Sequence, residues 1–289
     1  MTPQKSLSLT AIVHTLNEEL NLPGCLESLQ GWCPYIFIVD SGSTDRSLAI
    51  AQEFGAQIAR HSFESAAKQW NWALENLSIH TDWIIALDSD HRISPELQKE
   101  ICSTLSSAPL QIAGYYLPRK HIFRGRWIRH GGYWPKYLLK IFRRSTARAD
   151  EREADFRFYV QGRTCRFHGP LVEQNEKENS VVFWIQKHLK YIELQAQEEY
   201  SRRRNFISGW LIRPSLTGSP DQKTLWWKRL WYRLPLYSRP FLYFGYRYGF
   251  RLGFLDGPQG ALLHFLQGFW FRLMVDVRLG ELLRQERRT

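Results

Sequence analysis

Apolar residues in the first third of the chain fall into two alternating kinds of run. Residues 7–13 are short, continuous and rich in β-branched side chains, as a strand buried on both faces requires. They give way to Leu22, Cys25, Leu26 and Leu29, spaced for one face of a helix. Residues 35–39 repeat the buried-strand run and end at Asp40, and Ser43 stands where it would cap a helix through Phe54. A third strand is predicted at 56–60 and a fourth at 83–87, with a helix face between them at Ala66, Trp70, Ala73, Leu74 and Leu77. Ser94-Pro95 then opens another helix, with proline in its first turn. This alternation predicts an α/β fold: a mostly parallel sheet with helices on both faces.

After about residue 118 the texture changes to Arg, Trp and Tyr with scattered glycines. Residues 180–201 predict a helix, since Ile185, Leu189, Ile192 and Ala196 share one face. Pro, Gly and Ser make 213–222 a loop, and from Leu225 onward aromatic and cationic residues interleave. The expected organisation is a ligand-binding half at 1–120, a region at 121–224 that completes the domain, and a mainly helical, basic extension at 225–289.

The formal charge of +11 is distributed unevenly. Residues 1–118 hold 6 Lys and Arg against 13 Asp and Glu, whereas 119–289 hold 33 against 15. Two functional halves are expected, rather than one uniformly basic coat for nucleic acid. The four cysteines form no C-x-x-C pair and have no histidine at zinc-ligand spacing, which fits a reducing cytoplasm. The first nine residues do not read as a secretory signal. The longest apolar stretch, 261–277, is interrupted by His264, Gln267, Arg272 and Asp276 and falls short of a bilayer span.

A sheet of this kind places its ligands at the carboxyl ends of its strands, where polar residues gather. Thr15, Asn17 and Glu18 follow the first strand, Asp40 and Asp45 the second, and Asp88 and Asp90 the fourth. Asp88-Ser89-Asp90 can hold a hard divalent cation or ribose hydroxyls through oxygen. A metal there would neutralise a diphosphate and make a nucleotide a better leaving group. Asp40 can accept hydrogen bonds from a base or ribose, and Gly42 permits close backbone approach. Neither G-x-G-x-x-G after the first strand nor G-x-x-x-x-G-K-[ST] occurs, so dinucleotide oxidoreductases and P-loop enzymes lack their phosphate loop. No H-E-x-x-H or G-x-S-x-G appears for a zinc or serine hydrolase, and His61, His121, His130, His168 and His188 read as packing or surface residues.

Thr15-Leu16-Asn17-Glu18-Glu19, the run from Val39 to Asp45, Lys68-Gln69-Trp70-Asn71 and Asp88-Ser89-Asp90 together resemble the inverting family 2 glycosyltransferases of the GT-A, Rossmann-like type. The middle of the chain, from Gly131 to Arg144, and Phe254-Leu255-Asp256-Gly257 with Gly260 resemble a subset related to lipopolysaccharide-core β-glucosyltransferases, with Lys140 at a usual Arg position. The resemblance implies a nucleotide-sugar donor, with Thr15, Glu18 and Asp40 near the nucleoside and Lys68 and Asn71 lining the donor cleft. It makes Asp90 the main contact of a Mg²⁺ or Mn²⁺ ion, with Asp88 beside it. An inverting transfer needs a carboxylate to take the acceptor hydroxyl's proton. The resemblance puts it at Asp155, with Asp150, Glu151 and Glu153 as rivals, while Glu173 and Asn175 read more readily as surface residues than as acceptor contacts.

The expected reaction moves a hexose from a nucleotide-diphosphate sugar, UDP-linked, to a glycolipid or lipid-linked acceptor during cell-envelope or lipopolysaccharide synthesis. Residues 225–289 hold 11 Lys and Arg, 4 Asp and Glu and 16 aromatics, a composition suited to an anionic membrane surface. The expected location is therefore peripheral, on the inner face of the cytoplasmic membrane. A non-catalytic nucleic-acid binder would use the same aromatic and basic residues, but the acidic first half would repel a polyanion, and no nucleic acid is expected. A metal-dependent nucleotidyltransferase would also use an acid pair, but lacks here a Gly-rich, basic phosphate loop near its start.

Overall fold

The computed structural model describes residues 7–150, 156–204 and 213–286. In chain order its first elements are β1 (Leu9–Thr15), α1 (Leu22–Glu27), β2 (Tyr35–Asp40), α2 (Ser47–Glu53), β3 (Gln57–Arg60), α3 (Ala66–Asn76), β4 (Trp83–Asp88), β5 (His91–Ile93) and α4 (Pro95–Leu105). Strands β6 (Ile112–Phe123), β7 (Arg126–Ile128), β8 (Lys136–Arg143), β9 (Ala147–Ala149), β10 (Phe158–Val160), β11 (Arg163–Arg166) and β12 (Leu171–Gln174) follow. The remaining helices are α5 (Val181–Arg203), α6 (Pro220–Trp231), α7 (Arg239–Phe244), α8 (Gly257–Leu263) and α9 (Phe271–Glu286). Single-turn or π-helical stretches at Gly245–Phe250, Gly253–Asp256 and His264–Trp270 join the last three.

The chain forms two compact units. Among the described residues the first comprises 7–120, 136–150 and 156–176, and the second 121–135, 177–204 and 213–286. In the first unit the strand order is β3-β2-β1-β4-β8-β6-β12-β5. Strands β3, β2, β1 and β4 are mutually parallel, as the βα alternation predicts, and from β8 onward antiparallel pairs enter. Strand periodicity divides the core cleanly. Leu9, Ala11 and Val13 of β1 and Trp83, Ile85 and Leu87 of β4 face one core, packed by α1, α2 and α4. Ile12, Ile84 and Ala86 point the other way, to a core closed by α3 through Ala67, Trp70 and Ala73. Both faces are covered, which is why these strands read as continuous apolar runs.

Two local expectations change. Helix α2 begins at Ser47 rather than near Ser43: the Ser43 hydroxyl accepts from the Asn17 backbone amide at 2.9 Å, and the Arg46 amide that it would have capped donates to Glu19 instead. The stretch 213–222 is not all loop: Ser219 and Gln222 form a reciprocal capping box with Pro220 in the first turn, so α6 starts at Pro220.

The second unit has its own core. Trp184, Ile192 and Ala196 of α5 pack with Phe271, Val275 and Leu279 of α9, joined by Leu263, Leu266 and Tyr133. Ser180 caps α5, accepting from the Phe183 amide. Arg239 is wholly buried and held by the Glu199 and Asp276 carboxylates. Among the described residues no helix is long and apolar enough to cross a membrane.

Candidate functional site

The first unit lines up three of the expected positions by strand register. Thr15 pairs with Asp40 across β1 and β2, and His14 pairs with Asp88 across β1 and β4. Asp40, Thr15 and Asp88 therefore end three adjacent parallel strands at one edge of the sheet.

The loops leaving these strands are tied together by side chains. The Asp40 carboxylate is buried and accepts from the Gly42 amide at 2.9 Å and from the Ser43 amide, which turns the chain tightly at Gly42 (φ +101°). A side chain at Gly42 would meet open space but carry the strain of that backbone conformation. Asn17 is left-handed (φ +54°), a conformation Asn tolerates, and its Oδ1 accepts from the Thr44 amide at 2.8 Å. The Glu18 amide donates to the Ser47 hydroxyl and the Glu19 amide to Asp45. Desolvation raises the Asp45 carboxyl, but the hydrogen bonds from Ser47 and from the Glu19 amide together prevail and hold it below the usual range. Ser89 donates to the His14 carbonyl at 2.7 Å, so the buried Thr15 hydroxyl, 3.0 Å away, donates to Ser89.

Asp88 and Asp90 have different surroundings. The Asp88 side chain is 48% exposed, and the buried Lys140 ammonium donates to its Oδ2 at 3.0 Å. Desolvation favours the protonated acid, but the Lys140 charge, the nearby His91 and the Lys140 hydrogen bond prevail and hold the carboxyl well below the usual carboxylate range. The Asp88 amide donates to His91 Nδ1 at 2.9 Å, and His91 Nε2 lies 3.5 Å from Glu173. Glu173 in turn receives the Arg119 guanidinium. Asp90 Oδ2 accepts from the Asn175 amide at 3.1 Å. Asn175 Oδ1 accepts from the fully buried Asn21, which also donates to Glu18 at 2.6 Å. Glu18, Asn175 and Asp90 thus belong to one network, and Glu173 is held by Arg119 beside His91, so neither Glu173 nor Asn175 is a detached surface residue.

Lys68-Gln69-Trp70-Asn71 divides its work. Lys68 pairs with Glu64 on the exposed face of α3, and the Asn71 amide binds both the backbone N–H and the carbonyl of Ala149. Gln69 reaches the strand ends, donating to the Ser41 hydroxyl at 3.0 Å and meeting His61 at 2.7 Å. Trp70 is buried and stacks on His14. Burial pushes the His14 pKa down to about 3, so it is neutral at physiological pH. Asp155, Glu151 and Glu153 lie outside the described residues. Asp150 is buried, and its Oδ1 accepts from the Arg157 amide at 2.7 Å.

Sequence reasoning missed Lys140, His91, Asn21 and Gln69 as parts of this edge. Two of them carried a signal: Lys140, a lone cation within the apolar run Leu138-Leu139-Lys140-Ile141-Phe142, and Gln69, inside the Lys68–Asn71 motif. The donor set suits a small hard cation. Asp88 and Asp90 offer only oxygen, and such an ion takes one or two carboxylates and completes its shell with water and substrate phosphate. Among the described residues no three His, Cys, Asp or Glu side chains form an all-protein metal cage.

The chain is 32% identical over 154 residues to the lipopolysaccharide core biosynthesis glycosyltransferase LpsC of Rhizobium meliloti (strain 1021), covering 50% of this chain and 54% of that relative. It is 33% identical over 99 residues to an uncharacterized glycosyltransferase of Rickettsia conorii, covering 34% of each. The chain therefore spans about half or less of the length of these curated relatives. Among solved structures, glucosyl-3-phosphoglycerate synthase from Mycobacterium tuberculosis, in complex with Mn²⁺, UDP and glucosyl-3-phosphoglycerate, matches with 20% identity over 40% of this chain and 44% of that one. Its TM-score of 0.30 is too low to bear on the site. The profile described as glycosyl transferase family 2 matches residues 10–161, more than half of the chain, from the second residue of β1 through β10, and the chain belongs to that family.

Proposed function

We propose that this glycosyltransferase moves a hexose from a UDP-linked donor to a glycolipid or lipid-linked acceptor, with inversion at the anomeric carbon, in cell-envelope polysaccharide or lipopolysaccharide synthesis. The observation that carries the reading is the row of Asp40, Thr15 and Asp88 across three parallel strand ends, with Asp90 two residues beyond. In this reading the nucleoside lies against Thr15, Asn17, Glu18, Asp40 and Gly42, and the donor cleft extends past Lys68 and Asn71. Asp88 and Asp90 would hold Mg²⁺ or Mn²⁺, which when bound neutralises the diphosphate and eases departure of the nucleotide. Lys140 keeps Asp88 ionised and in place, and Asn175 fixes the Asp90 carboxylate through Asn21 and Glu18. Asp155 takes the proton of the attacking acceptor hydroxyl. The basic, aromatic C-terminal region brings the enzyme to the inner face of an anionic cytoplasmic membrane, where a lipid-linked acceptor resides.

The test is a thermal-shift panel of nucleotide sugars with and without Mn²⁺, because a ligand that binds only the folded state raises its melting temperature. UDP-hexoses should raise Tm in the presence of Mn²⁺, and a flat response across the panel would overturn the reading. Asp155→Asn should retain the shift and lose transfer; near-normal transfer would assign the proton to another acid.

A further inference from the structure

The second unit carries an apolar helical hairpin. Residues 239–250 run out as α7 and its π-helical continuation, residues 251–256 turn, and 257–270 return as α8 and the π-helical stretch after it. Phe241 packs on Phe269, which also meets Phe244 and Phe265. The outer faces of Phe241 and Phe265 nevertheless remain open. At the tip, Phe250 is 79% exposed, and Leu252, Phe254 and Leu255 are 47%, 48% and 50% exposed.

The tip is not loose chain. Beneath it the buried Asp256 carboxylate accepts from the amides of Arg129 and His130 and from the His130 ring. Arg247 donates to the Gly131 carbonyl and to Tyr243, and the Gly131 amide donates to the Arg251 carbonyl. Gly131 is obligatory here, since a Cβ on it would lie 1.9 Å from the buried His264 ring. Leu252 is held in the left-handed region at φ +59°, where a glycine would be unstrained, yet its apolar side chain stands half in solvent. A rigid polar base therefore displays a cluster of apolar side chains that the fold itself does not use.

The exposed charge along this stretch of the chain has one sign. From residue 226 to 275 Asp256 is the only acid, and it is buried, while Arg229, Arg233 and Arg251 are exposed. Exposed apolar rings beside arginines, with no carboxylate of this stretch reaching solvent, match the boundary between anionic headgroups and acyl chains. We infer that the turn at 250–255 is a wedge that enters an anionic lipid surface, with Phe241 and Phe265 lying along it. This deepens the proposed use of a lipid-linked acceptor and rests on that reading for its purpose.

The experiment is flotation of the full chain with vesicles of phosphatidylglycerol and phosphatidylcholine, against vesicles of phosphatidylcholine alone. The protein should float with the anionic vesicles, less in high salt, and weakly or not at all with the neutral ones. Phe250→Ser combined with Leu255→Ser should lower the partition coefficient at least ~10-fold. Phe250→Trp should keep it, and circular dichroism and the melting curve establish that each variant is folded. Wild-type protein that stays at the bottom, or a folded double variant that floats as well as wild type, would overturn the wedge. So would sedimentation showing a dimer that the double variant dissolves with no change in flotation, which would make a second copy the occupant. The double variant should keep its UDP-sugar thermal shift in lipid-free buffer. Failure of flotation with that shift intact removes the wedge alone, whereas absence of the shift in wild type removes the transferase reading.

Discussion

In the first unit Asp88 and Asp90 stand at the end of a buried strand, with Asp88 half open to solvent and steadied by Lys140 on one side. In the second unit Asp256 and Asp276 are turned inward, Asp256 to the amides of Arg129 and His130 and Asp276 to Arg239. The chemical groups are the same, but the consequences differ. An acid at a strand end keeps an oxygen face for a ligand, whereas an acid spent on an internal donor removes negative charge from the surface. In the stretch 226–275 of the second unit the one acid is hidden, so the charge it shows to solvent is basic.

The sharpest way to break this comparison is to remove the cation from the buried cluster. Arg239→Leu should destabilise the protein by about 3–5 kcal/mol, because Glu199 and Asp276 would be left buried without their shared partner. Chemical denaturation at neutral pH measures it. A change below about 1 kcal/mol would mean that water reaches these acids and that they are not internal in the sense argued.

Asp90→Ala should leave folding nearly unchanged but lower turnover roughly 10²–10³-fold, the scale of losing one electrostatic contact to the charge that develops on the leaving group. The Mn²⁺-dependent part of the UDP thermal shift should vanish with it. Retention of both would make Asp90 a helix-approach residue like any other.

The smallest effect is expected at Lys140→Met. Asp88 has a folded-state pKa below its unfolded value, so the pair contributes stability that is present above about pH 4 and is lost as pH falls further. Because the Asp88 side chain is half exposed, the contribution at neutral pH is screened to about 1 kcal/mol. Stability curves of wild type and variant should therefore converge on acidification, and a gap that widens in acid would reverse the assigned sign.

Much of the first unit was legible along the chain. Strands buried on both faces are continuous apolar runs, helices repeat at three and four residues, and acids gather after the strands, so β1 to β4, the helices between them and α4 could be located without coordinates, along with the Asp40, Asp88 and Asp90 positions, whereas the short β5 carried no such run. The Ser43 cap was misread because propensity does not reveal that the Arg46 amide goes to Glu19 while the Ser43 hydroxyl serves the loop at Asn17. The start of α6 was readable in principle, since Ser219-Pro220 followed by Gln222 is a capping signature hidden inside a Gly- and Pro-rich stretch.

What the sequence by itself determined is whatever depends on neighbours within a few residues: periodicity, caps, and the clustering of carboxylates after apolar runs. Only the tertiary structure decided which polar groups meet. Lys140 reaches Asp88 across 52 positions, Asn175 reaches Asp90 across 85, and Asp256 reaches His130 across 126. A hydrogen bond demands a fit of a few tenths of an ångström, which strand register and helix packing supply, whereas the order of residues along a chain records only which groups are available to make it.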